Sequence, residues 1–86
     1  MLIAGVQLDD GHVAALATRL DRAGATATGG KLRRALFMTA VAVKLDVAQQ
    51  RDVIAALASD CPPGLVRLRE ELTRQESFRT HHAPPG

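Results

Sequence analysis

Apolar and polar positions alternate over the first residues of the chain and then recur at helical spacing. The alternation from Leu2 to Leu8 predicts a short strand with an inner face of Leu2, Ala4, Val6 and Leu8. Asp9 and Asp10 follow. Acidic residues suit a helix start because their carboxylates accept hydrogen bonds from free backbone N–H groups and interact favourably with the positive end of the helix dipole. A first helix is therefore expected over about residues 10–23, with an inner stripe of Val13, Leu16, Ala17, Leu20 and Ala23.

The second helix is predicted to follow a linker of small residues, Ala25 to Gly30, in which Thr26 or Thr28 can serve as the cap. It covers roughly residues 29–39, and its inner stripe is Leu32, Ala35, Leu36 and Thr39. Phe37 and Val41 fall on the opposite side, so the second half of this helix is apolar nearly all round. Such a helix is buried on two faces, which in a short chain indicates contact with the other helices or with another subunit.

The second half of the chain repeats the order of strand, acidic cap and helices. Alternation predicts a strand near residues 41–45, and Asp46 with Gln49 has the spacing of a capping box at the start of a third helix over about residues 47–59. Two prolines then break the chain. A fourth helix is expected over about residues 64–79, with Leu65, Leu68 and Leu72 inward.

These elements predict an α+β, mainly helical fold in the order β-α-α-β-α-α, with four helices and one short two-stranded ribbon. Residues 6–9 are echoed by residues 43–46, and two strands of such similar sequence are expected to pair with each other. Residues 1–80 are expected to form a single small domain. Residues 81–86 contain two prolines and no core residue, which predicts a disordered tail.

Composition adds that the core is aliphatic and small. The chain has 86 residues, of which 47% are hydrophobic, and its only aromatic residues are two phenylalanines. A domain of this size buries a limited share of its surface, so a partner or a second copy is expected to cover more. The longest apolar stretch, residues 35–43, is shorter than the ~20 residues of a membrane span, and the start lacks a basic signal region. A cytoplasmic protein with no membrane association is expected.

Catalysis and metal binding have no support in the sequence. The histidines lack the spacing of a metal site, and the single cysteine, Cys61, stands beside Asp60 with no basic partner following in sequence. A nucleophile-elbow motif, a phosphate loop and a dinucleotide-binding motif are all absent. The expectation is a protein that is not an enzyme, with no catalytic residues, no cofactor, no metal site and no small-molecule substrate.

Basic residues concentrate in the middle of the chain. Residues 30–45 contain Lys31, Arg33, Arg34 and Lys44 and no acid, although the net charge of the whole chain is only +2. An anion at the N-terminus of the second helix would suit these cations. At about 100° per residue the first three point in different directions, a pattern typical of a solvated face.

The sequence of residues 3–42 resembles a ribbon-helix-helix module, the DNA-binding half of many bacterial antitoxins and small repressors. The likeness is carried by Val6-x-Leu8-Asp9-Asp10, a helix holding Leu16 and Leu20, Gly24, a threonine-containing turn and Lys31-Leu32-Arg33-Arg34-Ala35-Leu36. It implies an intertwined homodimer whose paired strands enter the major groove. It further implies that Ile3, Gly5 and Gln7 face bases and that Thr28 to Gly30 face phosphates, with Lys31, Arg33 and Arg34 as further anion-binding residues.

The function expected first is a small non-catalytic interaction module that homodimerises or docks on a larger protein partner. Phe37, Met38 and Val41 extend the apolar surface of the second helix and are the predicted interface. The alternative is a dimeric DNA-binding regulator of the ribbon-helix-helix kind. Salt separates the two hypotheses, because phosphate contacts weaken strongly with ionic strength and apolar interfaces do not.

Overall fold

The computed structural model describes residues 1–38 and 42–82. These residues form a three-stranded sheet, four α-helices and a short 3-10 turn, with the bounds β1 Leu2–Ile3, β2 Val6–Gln7, α1 Asp10–Arg22, α2 Thr26–Phe37, β3 Ala42–Val43, α3 Val47–Ala58, 3-10 turn Pro63–Leu65 and α4 Val66–His82. The α+β, mainly helical class with four helices is confirmed, but the predicted two-stranded ribbon is a sheet of three strands. None of the described helices combines the length and the apolar character needed to span a bilayer.

The first predicted strand is in fact a hairpin. β1 and β2 pair antiparallel with Ile3 opposite Val6, and the turn between them consists of Ala4 at φ 53° and Gly5 at φ 86°. Positive φ at both central residues gives the backbone twist that a two-residue hairpin loop requires. The prediction of one continuous strand over residues 2–8 is therefore wrong.

The turn also changes which side chains of this segment face the core. Directly opposed residues of a hairpin point to the same face, so Ile3 and Val6 lie together in the core, where Leu8 joins them. Leu2, in contrast, is 38% exposed. The predicted inner face is correct for Val6 and Leu8 and wrong for Leu2, because the two-residue turn shifts the alternation between β1 and β2.

β1 is the middle strand of the sheet, whose order is β2-β1-β3. β3 runs parallel to β1, with Leu2 opposite Ala42 and Ile3 opposite Val43. The two predicted strand regions therefore do pair with each other, but in parallel and through β1 alone. β2 and β3 are the two edge strands of the sheet, so β1 separates the residues of β2 from those of β3.

The predicted acidic caps of α1 and α3 are both confirmed. The carboxylate of Asp9 accepts a hydrogen bond from the backbone N–H of His12 at 2.8 Å. Asp46 accepts from the backbone N–H of Gln49 at 2.8 Å, and the Gln49 side chain accepts from the backbone N–H of Asp46, which completes the capping box. In both units, β2–α1 and β3–α3, the helix thus begins with an aspartate cap that bonds the backbone N–H three residues on.

The core is aliphatic, and α1 is its central helix, in contact with α2 and α3. The buried apolar side chains of the whole core are Ile3, Val6, Leu8, Val13, Leu16, Ala17, Leu20, Leu32, Val43, Val53, Ala56, Leu57, Leu65, Leu68 and Leu72. The predicted stripes of α1 and α4 are confirmed, apart from the exposed Ala23. Of the predicted stripe of α2, only Leu32 is fully buried, Ala35 and Leu36 are half-buried, and Thr39 lies outside the described residues. Phe37, on the predicted second apolar face of this helix, is exposed, so the other helices of the chain do not cover it.

α2 begins at Thr26, three residues before the predicted start, and neither threonine caps it: the N-cap is Ala25, without a side-chain hydrogen bond. Three residues into this helix, at Gly29, α2 crosses α1 closely. A methyl group at Gly29 would lie 2.7 Å from Asp21 Oδ1 and 3.0 Å from the backbone oxygen of Ala17. Tertiary contact thus places a glycine inside a helix despite its low helix propensity.

The second half of α4 makes polar contacts with the rest of the chain. Gln75 donates to the backbone oxygen of Ala4 at 3.3 Å and to Glu71 at 3.1 Å, and Glu76 pairs with Arg51 of α3 at 3.1 Å. Hydrogen bonds from Arg74 and then Gln75 lower the pKa of Glu71 from 4.5 to about 2.

α4 extends to His82, so it includes the first two residues of the predicted tail, and residues 83–86 lie outside the described residues.

Gly29→Ala is expected to lower the free energy of unfolding by about 1–3 kcal/mol, because the added methyl group forces α1 and α2 apart. Urea denaturation followed by circular dichroism measures the change. Gly30→Ala is the matched control, since its methyl group would meet only the tip of Arg34 at 3.5 Å. That variant is expected to gain about 0.5–1 kcal/mol from higher helix propensity. Equal effects of the two substitutions would contradict the close crossing.

Glu71→Gln is expected to cost stability at neutral pH and not in strong acid. A carboxyl whose pKa is lower in the folded than in the unfolded chain stabilises above its ordinary pKa, and the contribution vanishes as the pH falls to the folded value. The gap between the urea midpoints of wild type and variant should therefore close between about pH 5 and pH 2. Glu70→Gln, which leaves Arg74 and Gln75 untouched, is the control. A gap that stays constant with pH would exclude this role of Glu71.

Candidate functional site

One side of α2 and the edge strand β3 form a shallow groove with a volume of about 570 Å³. We call it the α2–β3 face, and its residues are Lys31, Arg34, Ala35, Met38, Ala42, Val43 and Lys44. The four residues from α2 have the spacing i, i+3, i+4 and i+7, which places them on one side of a helix. The face therefore combines three cations with a floor of small and apolar side chains.

Lys31 ties α2 to the segment that follows β3. Its ammonium group donates to the backbone oxygen of Lys44 and to Gln49 Oε1, the latter at 3.1 Å. Both acceptors are neutral, so the positive charge of Lys31 is not compensated by either contact. These two hydrogen bonds connect the two walls of the groove and bring Lys31 close to Lys44.

The neighbouring arginines of α2 have different surroundings. Arg33 forms an ion pair with Asp21 of α1, and this hydrogen bond raises the pKa of the guanidinium group above its ordinary value. Arg34 lies on the α2–β3 face, is exposed, and forms no ion pair with any residue in 1–38 or 42–82. Of the two, Arg34 is the one whose charge is available to a ligand of this face.

Large apolar side chains stand at the C-terminal end of α2. Phe37 is 88% exposed and Met38, which lines the groove, is 75% exposed. Val41, the third residue of the predicted interface, lies outside the described residues. Because water contacts most of the surface of Phe37 and Met38, the region offers unburied apolar area directly beside three cations.

Of the residues predicted to contact nucleic acid, only Lys31 and Arg34 line the same groove. Gln7 is exposed on β2, at the sheet edge opposite β3. Ile3 is fully buried. Thr28 is 2% exposed, and its hydroxyl donates to Asp52 of α3 at 2.8 Å, so it links two helices and does not reach solvent. Gly30 lies half-buried within α2, next to Lys31 and close to the tip of Arg34.

Lys44 belongs to the face although it was not among the predicted site residues. Its signal in the sequence is the absence of acids over residues 30–45, which singles out Lys44 together with Lys31 and Arg34. Ala35 and Ala42 were not predicted either, and a small side chain by itself gives no functional signal. Only the approach of α2 to β3 shows that these residues line one groove.

The other chemistry-bearing side chains occupy structural positions. Nδ1 of His12 lies 2.9 Å from Asp9 Oδ2, and its ring rests so close to Gly64 that a methyl group there would lie 1.9 Å from Nε2. Cys61 is half-buried, with its sulfur 3.7 Å from the backbone oxygen of Pro62. Within the described part of the chain, no three His, Cys, Asp or Glu side chains cluster in a way that could hold a metal ion.

Thr28→Val is expected to lower the free energy of unfolding by roughly 1–3 kcal/mol, because the Asp52 carboxylate loses its hydroxyl donor. Thr26→Val is the control, since Thr26 is exposed at the first position of the same helix, and its effect should stay within about 0.5 kcal/mol. Chemical denaturation of both variants makes the comparison. A neutral Thr28→Val substitution would show that the hydroxyl has no structural role.

Comparison with known proteins finds no family model, no curated protein and no solved structure that matches this chain.

Proposed function

We propose that the chain is a non-catalytic protein-interaction module that docks a partner protein through the α2–β3 face. The observation that carries the proposal is the pair of exposed apolar side chains, Phe37 and Met38, beside a groove lined by small residues. Apolar surface rimmed by polar residues is typical of interaction sites. Aromatic residues, methionine and arginine are also the types enriched in protein interfaces.

The charges of the face favour a different protein over a second copy of this chain. A two-fold dimer brings the same patch of both subunits together, so Lys31, Arg34 and Lys44 would meet the same three cations of the other subunit. Like charges placed against each other across an interface are strongly unfavourable. Homodimerisation, which the sequence predicts through Phe37, Met38 and Val41, is therefore the weaker form of the proposal at this face and an outcome for the experiment to exclude.

DNA binding is favoured less than protein binding by the surroundings of the predicted contact residues. A ribbon-helix-helix reader would need Gln7, Thr28 and the cations on one surface. Thr28 donates its hydroxyl to Asp52, Arg33 is paired with Asp21, and Gln7 is on the far edge of the sheet. The cations that remain surround apolar side chains, and such a surface suits a protein.

Photo-cross-linking at position 37 tests the proposal. A benzoylphenylalanine at Phe37 stands one residue before Met38, which lines the groove, and the same residue at the exposed Arg67 of α4 is the matched control. We expect an adduct with one partner protein from position 37 only, in cells that produce the chain. The purified partner should then bind the wild type and Arg67→Ser alike, and bind Phe37→Ser about tenfold or more weakly, as for an apolar hot-spot residue.

Three results would overturn the proposal. Identical adducts from positions 37 and 67 would mean that the face is not a specific docking surface. Adducts solely between two copies of the chain would establish self-association instead. A partner that binds Phe37→Ser as tightly as the wild type would show that the exposed ring is not part of the interface.

A further inference from the structure

The α2–β3 face offers hydrogen-bond donors but no carboxylate, amide or hydroxyl acceptor, because its polar members are all cations. An ammonium group has three N–H donors, and Lys31 uses two of them on Lys44 and Gln49. The side chains of Arg34 and Lys44 donate to no acceptor in residues 1–38 and 42–82. A ligand that satisfies these donors must bring acceptors of its own.

The face also keeps its positive charge, whereas most arginines elsewhere are neutralised by a neighbouring acid. The arginines with an ion pair in the described ranges are Arg19, Arg33, Arg51, Arg74 and Arg79. Their acids come from α1, α4 and the turn after α3, and none of these acids lines the groove. Negative charge on the ligand would therefore meet three cations and no competing carboxylate.

The groove between these cations has room for an apolar group. Ala35 on α2 and Ala42 on β3 are short side chains, and Met38 contributes a flexible thioether that adapts to its neighbour. The space of about 570 Å³ is open to solvent on a mainly apolar floor. A phosphate backbone satisfies cations but leaves such a floor wet, whereas a leucine or phenylalanine side chain buries it.

We infer that the occupant of the α2–β3 face is an acidic protein segment in which carboxylates flank a large apolar side chain. This inference rests on the proposed function and names the chemistry of its partner. Lys31 and Arg34 are one helical turn apart on α2, and Lys44 follows β3 on the other wall, so carboxylates are needed on both sides of the apolar residue. Arg34 presents a planar fork that can bind a carboxylate through two hydrogen bonds.

Fluorescence anisotropy with a labelled Glu-Glu-Leu-Phe-Glu-Glu peptide tests the inference. Binding should weaken with added salt, because it depends on exposed charges. Arg34→Glu combined with Lys44→Glu should weaken it about tenfold or more, since each substitution turns an attraction into a repulsion. Arg22→Glu combined with Arg67→Glu makes the same charge change at two exposed residues outside the groove and should leave the affinity as in the wild type. Phe37→Ser should also weaken binding.

Two control peptides and an oligonucleotide complete the experiment. The peptide with glutamine for glutamate and the peptide with serine for leucine and phenylalanine should both bind far more weakly. Equal binding of the glutamine peptide would overturn the inference, and so would tighter binding of a single-stranded oligonucleotide of similar length. If the partner cross-linked at position 37 docks through the face with a neutral or basic segment, the inference fails while the proposed function stands.

Discussion

At Gly29 the backbone of α2 comes so close to α1 that a methyl group there would lie 3.0 Å from the carbonyl oxygen of Ala17. This contact commits the N-terminal half of α2 to the core, where Thr28 and Leu32 are also buried. The C-terminal half then continues towards β3, and the side of it that lines the groove is the stripe Lys31, Arg34, Ala35 and Met38. One close crossing therefore determines both where α2 packs and which residues it leaves for a ligand.

The chain builds its core without aromatic residues and keeps both phenylalanines outside it. Phe37 is 88% exposed and Phe78 is 60% exposed, while every buried apolar side chain is aliphatic. Full burial of a phenylalanine stabilises by about 1.5–3 kcal/mol, and folding of this chain leaves that contribution unused at Phe37. A docked partner would supply it by burying the ring. The burial of apolar surface that stabilises the aliphatic core would then also stabilise the proposed complex.

Features of the fold that depend on neighbours in sequence could be predicted, and features that depend on tertiary contact could not. The cap at Asp46 was predictable because its carboxylate bonds a backbone N–H three residues on. The turn at Ala4 could not be predicted from the sequence, since a non-glycine residue rarely takes positive φ. The acid-free stretch over residues 30–45 signals the basic face, but the partners that remove Thr28 and Arg33 from it belong to other helices.

The two strand–cap–helix units start alike and end differently, and the difference decides where a ligand can bind. Asp9 and Asp46 cap α1 and α3 through the same backbone contact. The second helix of the later unit, α4, contains Glu71 and Glu76, which neutralise arginines of α3 and of α4 itself. The corresponding helix of the earlier unit, α2, has no acid in its sequence, and only Arg33 is paired, by α1. α2 thus keeps a positive charge that no acid of its own offsets, and it ends at Phe37, the more exposed of the two phenylalanines.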